Sequence, residues 1–477
     1  MSKTIAELAA DLDAGRVTAV QLVKEALTAL KQSQDEYNIV IELTEDRALE
    51  RARAIDADRA VGTKPGKPGR LSGIPFVAKD NFLAFGAHTT AASNILRPFM
   101  APYQSTAIER LEAEGAILVA KVNLDSFGHG ASTENSDFGP TKNSADTERV
   151  AGGSSGGSAV AVALGAVPFA LGTDTGGSTR QPASFNGIIG HKPTYGSISR
   201  YGVVAMASST DTIGTLARTI DDAALVFDCM AGKDERDSTT LLDRPASFLP
   251  ADNPVGKKLK IGLVKEYMGK ALADDVRQQV MKRVDDLRQL GHDVEEVSLP
   301  SLDLSLAIYY IVIPAEVSSN LARYDGVKYG LSAEQAKALD EVYGLSRDEG
   351  FNAENKRRIL IGTYVLSSGY YDAYYRKAQT ARTILINEFN KAFEQYDLLV
   401  GPVAPTTAFK LGENTDDPLK MYLADLMTVA PSLAGLPATS VPSGTGEHDL
   451  PVGLQLIGKQ RDDALLFAVA KQLEGTK

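Results

Sequence analysis

The chain has 477 residues, 43% of them hydrophobic, with 42 glycines and a formal net charge of −11. That is enough apolar material for one large core or two to three ordinary ones, and the acidic balance, without any run of five Lys or Arg, argues against a nucleic-acid footprint of its own. The single cysteine, Cys229, lies in an apolar stretch and reads as core, which excludes a disulfide framework and a thiolate metal cluster; no stretch reaches the roughly 18 to 20 uninterrupted apolar residues of a membrane span, and the start lacks a secretory signal's apolar segment, so a cytoplasmic protein is expected.

Up to about residue 55 the pattern predicts helices: Thr4 with Glu7, and Thr18 with Gln21, have capping-box spacing ahead of apolar residues at helical intervals. From Leu71 the texture changes. Short apolar runs bounded by glycines predict buried strands at 74–78, 116–120 and 167–171, with a helix at 106–113 begun by Thr106 and Glu109 and stopped by Gly115. A strand, helix and strand follow at 259–264, 273–290 and 293–298, Gly291 closing the helix. Residues 301–396 read as mostly helical, with a further capping box at Ser332 and Gln335 and a tyrosine-rich run at 369–375. Strand-like runs return at 398–400 and 452–457. This alternation implies an α/β fold, one sheet sandwiched between helical layers. With no composition break, internal repeat or low-complexity tract, 1–477 reads as one domain, its helical stretch at about 301–396 lying over the site.

Two glycine-serine segments stand out, Gly152-Gly153-Ser154-Ser155-Gly156-Gly157-Ser158 and Gly172-Thr173-Asp174-Thr175-Gly176-Gly177-Ser178. Each precedes a potential helix, where glycines let backbone N–H groups approach a developing anion. Neither ends in the Gly-Lys-Ser/Thr of a phosphate loop. Ser178 has two readings at this point: a nucleophile, or the cap of a helix with Gln181 three residues on. A serine nucleophile needs a base, and none of the five histidines has a compelling context. Lys79, closing the run at 74–78, is the alternative, because burial lowers a lysine's pKa toward the range where neutral amine accepts a proton. It also reads as a strand-end lysine paired with Asp80. By itself Lys356-Arg357-Arg358 reads as a solvated helix face.

Taken together, the stretch from Gly73 to Asn81 ending in Lys79-Asp80-Asn81, the double-serine loop and Asp174-Thr175-Gly176-Gly177-Ser178 resemble the amidase signature family. The resemblance implies a mixed sheet between helical layers, a signature core at about 71–220, Ser178 as nucleophile, Ser154 on a cis peptide as proton relay and Lys79 as base. It implies an oxyanion site on the backbone of Thr175, Gly176 and Gly177, and loop-holding roles for Ser155 and Arg180. His129 stands where no histidine is typical and receives no role.

Further segments, among them 320–326, 367–375 and 421–425, are similar to the branch of that family formed by the glutamine-hydrolysing subunits of tRNA-dependent amidotransferases. This implies Arg358 for the α-carboxylate of glutamine, revising the helix-face reading, with Asp425 for its α-ammonium and Tyr309 closing the pocket; Tyr310 adjoins Tyr309, and only one of the two is expected to face the site. It also implies a heterotrimer: a B subunit that holds mischarged tRNA and uses ATP and Mg²⁺, and a small C subunit, with no cofactor or metal in this chain. A free-standing amidase acting on a small amide, or an inactive scaffold or anion-binding module, are the alternatives.

Overall fold

The computed structural model describes residues 1–60 and 69–476. The first part forms α1 (Ile5–Asp13), α2 (Ala19–Tyr37), β1 (Val40–Leu43) and α3 (Glu45–Ala60). Thr4 and Thr18 cap the first two helices, and Glu7 and Gln21 reach back to the capping residues' N–H groups. β1 interrupts the helical reading of this region. It is only four residues long and half-buried, so its period-2 signal is too brief to stand out.

Next come β2 (Pro75–Lys79), α4 (Thr106–Ala113), β3 (Ile117–Val122), α5 (Gly156–Ala163), β4 (Phe169–Asp174), α6 (Arg180–Phe185), β5 (Ile189–Lys192), β6 (Thr212–Ala217) and α7 (Ile220–Met230). The cap of α4 is Ser105, one residue before the expected Thr106, which starts the helix proper. Cys229 lies buried in α7, where burial pushes its thiol up to about 12. The remaining elements are β7 (Lys260–Val264), α8 (Asp274–Gln289), β8 (Asp293–Val297), α9 (Ser305–Asn320), α10 (Leu339–Gly350), α11 (Ala353–Leu366), α12 (Lys377–Ala392), β9 (Leu398–Pro402), α13 (Pro418–Leu423), α14 (Val429–Leu433), β10 (Ala438–Thr445), β11 (Pro451–Gly458) and α15 (Asp463–Glu474). Ser332 starts no helix: Gly330 has φ +89°, and the Ala333 N–H is drawn to the Ser346 hydroxyl at 2.9 Å, so the chain stays irregular until Leu339.

All eleven strands join one sheet in the order β1-β3-β2-β4-β6-β5-β10-β11-β9-β7-β8. It is mixed: β3, β2 and β4 run parallel, as do β8, β7 and β9, while the pairs between them are antiparallel. The hairpin of β10 and β11 sits between β5 and β9, and so joins the two parts of the sheet. Strands β5, β6 and β10 escape the sequence reading because their runs contain His191-Lys192, threonines and glycine, or Ser440 and Pro442, although each is buried along most of its length. Phe76 and Phe169 stack at 5.1 Å across β2 and β4, fixing their register beneath the site.

Helices α9, α11, α12 and α14 pack on one another. The stretch Pro300–Arg323, which contains α9, is long and apolar enough by length and composition to cross a membrane, but over half of its most apolar window is buried inside the chain. Gly362 lets α11 approach α9 closely: a Cβ there would lie 1.8 Å from the carbonyl oxygen of Pro314. That proline leaves a gap in the α9 hydrogen-bond ladder at the contact.

Candidate active site

β2 and β4 are adjacent and parallel, so Lys79, the last residue of β2, and Thr173, near the end of β4, emerge at the same edge. Crevices beyond the carboxyl ends of parallel strands are where α/β sheets gather ligand-binding groups. Lys79 is fully buried, its Nζ 2.7 Å from Ser154 Oγ and 2.9 Å from Thr173 Oγ1; Asn81 Nδ2 donates to the same threonine oxygen at 3.1 Å. Burial lowers the Lys79 pKa to about 7, against the opposing pull of Asp125, Asp174 and Asp211. Asp80 does not pair with Lys79. It binds Lys121 at 2.5 Å and the Thr90 backbone, which removes the strand-end ion pair as an explanation of the lysine.

Ser154 follows a cis peptide bond, Gly153–Ser154, in the turn that enters α5. Gly153 is pressed onto the Asp125 carboxylate, where a Cβ would meet Oδ2 at 2.1 Å. The Gly153 N–H donates to Gln181 Oε1 at 2.9 Å. Ser178 lies in the turn between β4 and α6 and does not cap the helix: the cap position is Thr179, without a side-chain bond, and Thr179 N donates instead to Asp174 Oδ2. The two serine loops are tied together, Ser155 N donating to Ser178 O at 3.2 Å and Ser155 Oγ bonding Thr173 O. Ser178 is 8% exposed against 1% for Ser154, so of the two hydroxyl-bearing residues it is the one open to an incoming ligand. The N–H groups of Thr175, Gly176 and Gly177 make no backbone hydrogen bond among the described residues. That leaves three donors at one turn free for an anionic oxygen.

Arg180 holds this turn. Its guanidinium grips Asp174 through two bonds of 2.9 Å and reaches Thr428 O, Ser432 Oγ and Gln455 Oε1, linking β4 to α14 and β11. Burial alone would raise the Asp174 pKa, but Arg180 holds it below the usual carboxylate range. Thr175 Oγ1 donates to the half-buried Asp211 at 2.7 Å. Beside Thr173 and Thr175 opens a cavity of about 220 Å³, also bordered by Asn81, Phe127, Gly128 and Asp211.

The other side of the site comes from α9, α11 and the α13–α14 turn. Tyr309 packs on the Ser178 turn: a Cβ on Gly176 would lie 2.6 Å from its hydroxyl, and one on Gly177, at φ +147°, would strike Thr428. Both positions therefore require glycine. Tyr310 borders the site as well, contrary to the expectation that only one of the pair could. Its ring stacks on Tyr422 at 3.8 Å, its hydroxyl is 3.5 Å from Asp425, and Arg358 lies over both rings. Neighbouring residues on a helix point about 100° apart, close enough to line one concave wall.

Arg358 is buried, with Nε donating to Glu354 Oε1 at 2.8 Å. Burial works against its charge, but Glu354 and the tyrosines outweigh that and keep it cationic. Asp425 is buried without a cation bound to it among the described residues, and burial pushes its pKa up to about 8. Arg358 pairs with Glu354 and not with Asp425, so one wall carries a cation and a carboxyl group that do not neutralise each other directly. Glu354 and Tyr422 were not anticipated, and Tyr310 only as an alternative to Tyr309. The only sequence signal was the i, i+4 spacing of Glu354 and Arg358. Among the described residues no group of three or more His, Cys, Asp or Glu is arranged to hold a metal.

Comparison with known proteins agrees in kind with this geometry. The family model described as amidase matches residues 21–467. The A subunit of glutamyl-tRNA(Gln) amidotransferase from Thioalkalivibrio sulfidiphilus is 49% identical over 473 residues, 99% of this chain and 96% of the relative. The Staphylococcus aureus protein of the same name is 47% identical, covering 96% and 94%. Among solved structures, the A subunit of glutamyl-tRNA(Gln) amidotransferase from Thermotoga maritima superposes with a TM-score of 0.81 at 37% identity, covering 100% of this chain and 95% of that one. A crystal structure of an amidase superposes with 0.83 at 32% identity, covering 99% of each.

Proposed function

The chain belongs to the amidase family, and on that premise we propose that it hydrolyses glutamine as the A subunit of a tRNA-dependent amidotransferase. The observation that carries the reading is the wall opposite the serines, where Arg358 and Asp425 stand unpaired with each other. A free amino acid brings one carboxylate and one ammonium: Arg358 matches the first, and an arriving ammonium draws the Asp425 carboxyl, which burial raises to about 8, back to the carboxylate that matches the second. Identity of 47–49% to amidotransferase A subunits, over almost the whole of both chains, supports the same assignment.

In this reading neutral Lys79 takes a proton from Ser154, which takes one from Ser178, and Ser178 Oγ attacks the side-chain carbonyl carbon of glutamine. The carbonyl oxygen becomes an oxyanion held by the N–H groups of Thr175, Gly176 and Gly177. The proton returns through Ser154 to the amide nitrogen, the C–N bond breaks and ammonia leaves. Water, giving its proton by the same route, then hydrolyses the glutamyl ester to glutamate and restores Ser178. Tyr309, Arg358 and Asp425 hold the amino acid throughout.

Ammonia becomes useful only at an activated acid. This acidic chain has no phosphate-loop ending or basic tract, so a B subunit would hold glutamyl- or aspartyl-tRNA and use ATP and Mg²⁺, with a C subunit completing the heterotrimer. The relatives' name, that of one subunit among several, supports such an assembly. Because an amidase of known structure shares the fold as closely as an amidotransferase A subunit does, hydrolysis of a small neutral amide is the second reading. Glutamine turnover by the chain alone, and with B and C subunits, mischarged tRNA and ATP, separates the two. Low activity rising with the partners is expected, with a glutamyl ester trapped on Ser178 by mass spectrometry. A preference for a neutral amide, full activity of the Ser178→Ala variant, or amidation of tRNA by the chain alone overturns the proposal.

A further inference from the structure

His129 lies between the serine loop and α11. The preceding residue, Gly128, faces the Ser154 hydroxyl, where an added Cβ would lie 3.5 Å from Oγ. On the other side the imidazole meets α11, its Nδ1 2.8 Å from Asn355 Nδ2. Asn355 precedes Arg358 by three residues, and both are buried on the same face of the helix. The orientation of the Asn355 amide follows from its other bonds: Oδ1 accepts from Ser126 Oγ at 2.8 Å, and Nδ2 donates to Ser126 O at 3.1 Å. Nδ2 therefore donates to His129, Nδ1 accepts, and the neutral ring carries its proton on Nε2. This Nε2 is buried and has no hydrogen-bond partner among the described residues. Burial, and then the charge of Arg358, hold the ring's pKa well below its ordinary value, so the group stays a neutral donor.

A buried N–H within electrostatic reach of a guanidinium is costly unless an acceptor meets it, and the acceptor that suits both groups is a carboxylate. We propose that His129 is a further substrate-binding residue, its Nε2–H sharing with Arg358 the α-carboxylate of the amino-acid amide; this rests on the glutaminase reading and deepens it. A neutral donor adds a hydrogen bond without a second positive charge in the same buried space, so the ligand's single negative charge is not overmatched.

The test uses the full chain assembled with its partner subunits. His129→Met keeps the bulk and removes the donor; His129→Gln restores a side-chain N–H. The methionine variant is expected to raise KM for glutamine about tenfold with kcat changed less than about twofold. It is expected to leave hydrolysis of 4-aminobutanamide, which lacks the carboxylate, unchanged, and the glutamine variant to recover most of the affinity. Independently, glutamine titrated into wild-type protein carrying ¹⁵N-histidine is expected to move the His129 Nε2 resonance. An unchanged KM, equal losses on both amides, or an unmoved resonance with bound glutamine overturns the contact while the glutaminase reading stands. A wild-type protein that neither binds nor hydrolyses glutamine overturns both. If neither variant folds, the titration alone decides.

Discussion

The lysine is the residue whose chemistry is most exposed to test. With a pKa near 7, Lys79 accepts a proton only as free amine, so turnover rises with pH as the group loses its proton and falls away below that value. The pH profile of kcat/KM is therefore expected to have an acid limb near 7, and Lys79→Arg, locked in the charged form, to lose about 10²–10⁴-fold in kcat. An unshifted profile, or substantial turnover by the arginine variant, removes the lysine as base. Arg358→Lys keeps a charge for Glu354 but loses the planar fork, and is expected to raise KM for glutamine about tenfold while sparing 4-aminobutanamide. Steady-state kinetics on the two amides decide this. Lys79, Ser154 and Ser178 stood out as candidates because each belongs to a short local pattern, an apolar run ending in lysine or a glycine-serine turn, but the patterns alone left a helix cap and a strand-end lysine open, and only the resemblance gave the three their roles. Glu354 and Tyr422 did not stand out, and Tyr310 did so only as an alternative to Tyr309. Their meaning lies in contacts among residues tens of positions apart, and burial converts what reads as a solvated basic cluster into one buried guanidinium with two more accessible neighbours.

At the scale of elements, the close approach of α9 and α11 sets how far the tyrosines stand from Arg358. Gly362→Ala drives a methyl group into the Pro314 carbonyl, so the helices must separate. The expected cost is about 1–3 kcal/mol of stability, read by denaturant unfolding, with a KM for glutamine raised more than that for 4-aminobutanamide. A variant with wild-type stability and KM means that the approach does not position the pocket. The strands around the serines were legible in the sequence as apolar runs bounded by glycine. β5, β6 and β10 were hidden because buried strands tolerate threonine, serine, glycine, histidine and even lysine when neighbouring elements satisfy them. His191 illustrates this, with its Nδ1 2.9 Å from Thr439 Oγ1 and its ring packed between Phe227 and Phe467. The expected start of a helix at Ser332 failed for the opposite reason, since a tertiary bond to Ser346 overrode a valid local signal.

For the whole molecule, the α/β character followed from alternating strands and helices, but the strand order did not, because no local pattern says that β10 and β11 insert between β5 and β9. That insertion makes residues 438–458 the piece that unites the sheet, and Arg180 extends the dependence to the serine turn through Gln455. A chain cut after residue 433 retains Lys79, Ser154, Ser178, Arg358 and Asp425, yet is expected to show no glutamine hydrolysis even with partners and to lose amide-exchange protection in β5 and β9. Wild-type turnover by the shortened chain overturns this. The same arrangement bears on synthesis: every group proposed for the chemistry is translated before residue 455, but the clamp on the serine turn is not closed until that residue has emerged and paired. A nascent polypeptide thus carries the groups proposed for the chemistry unassembled, and the turn that presents Ser178 is clamped only after the ribosome has delivered the strands that lock it.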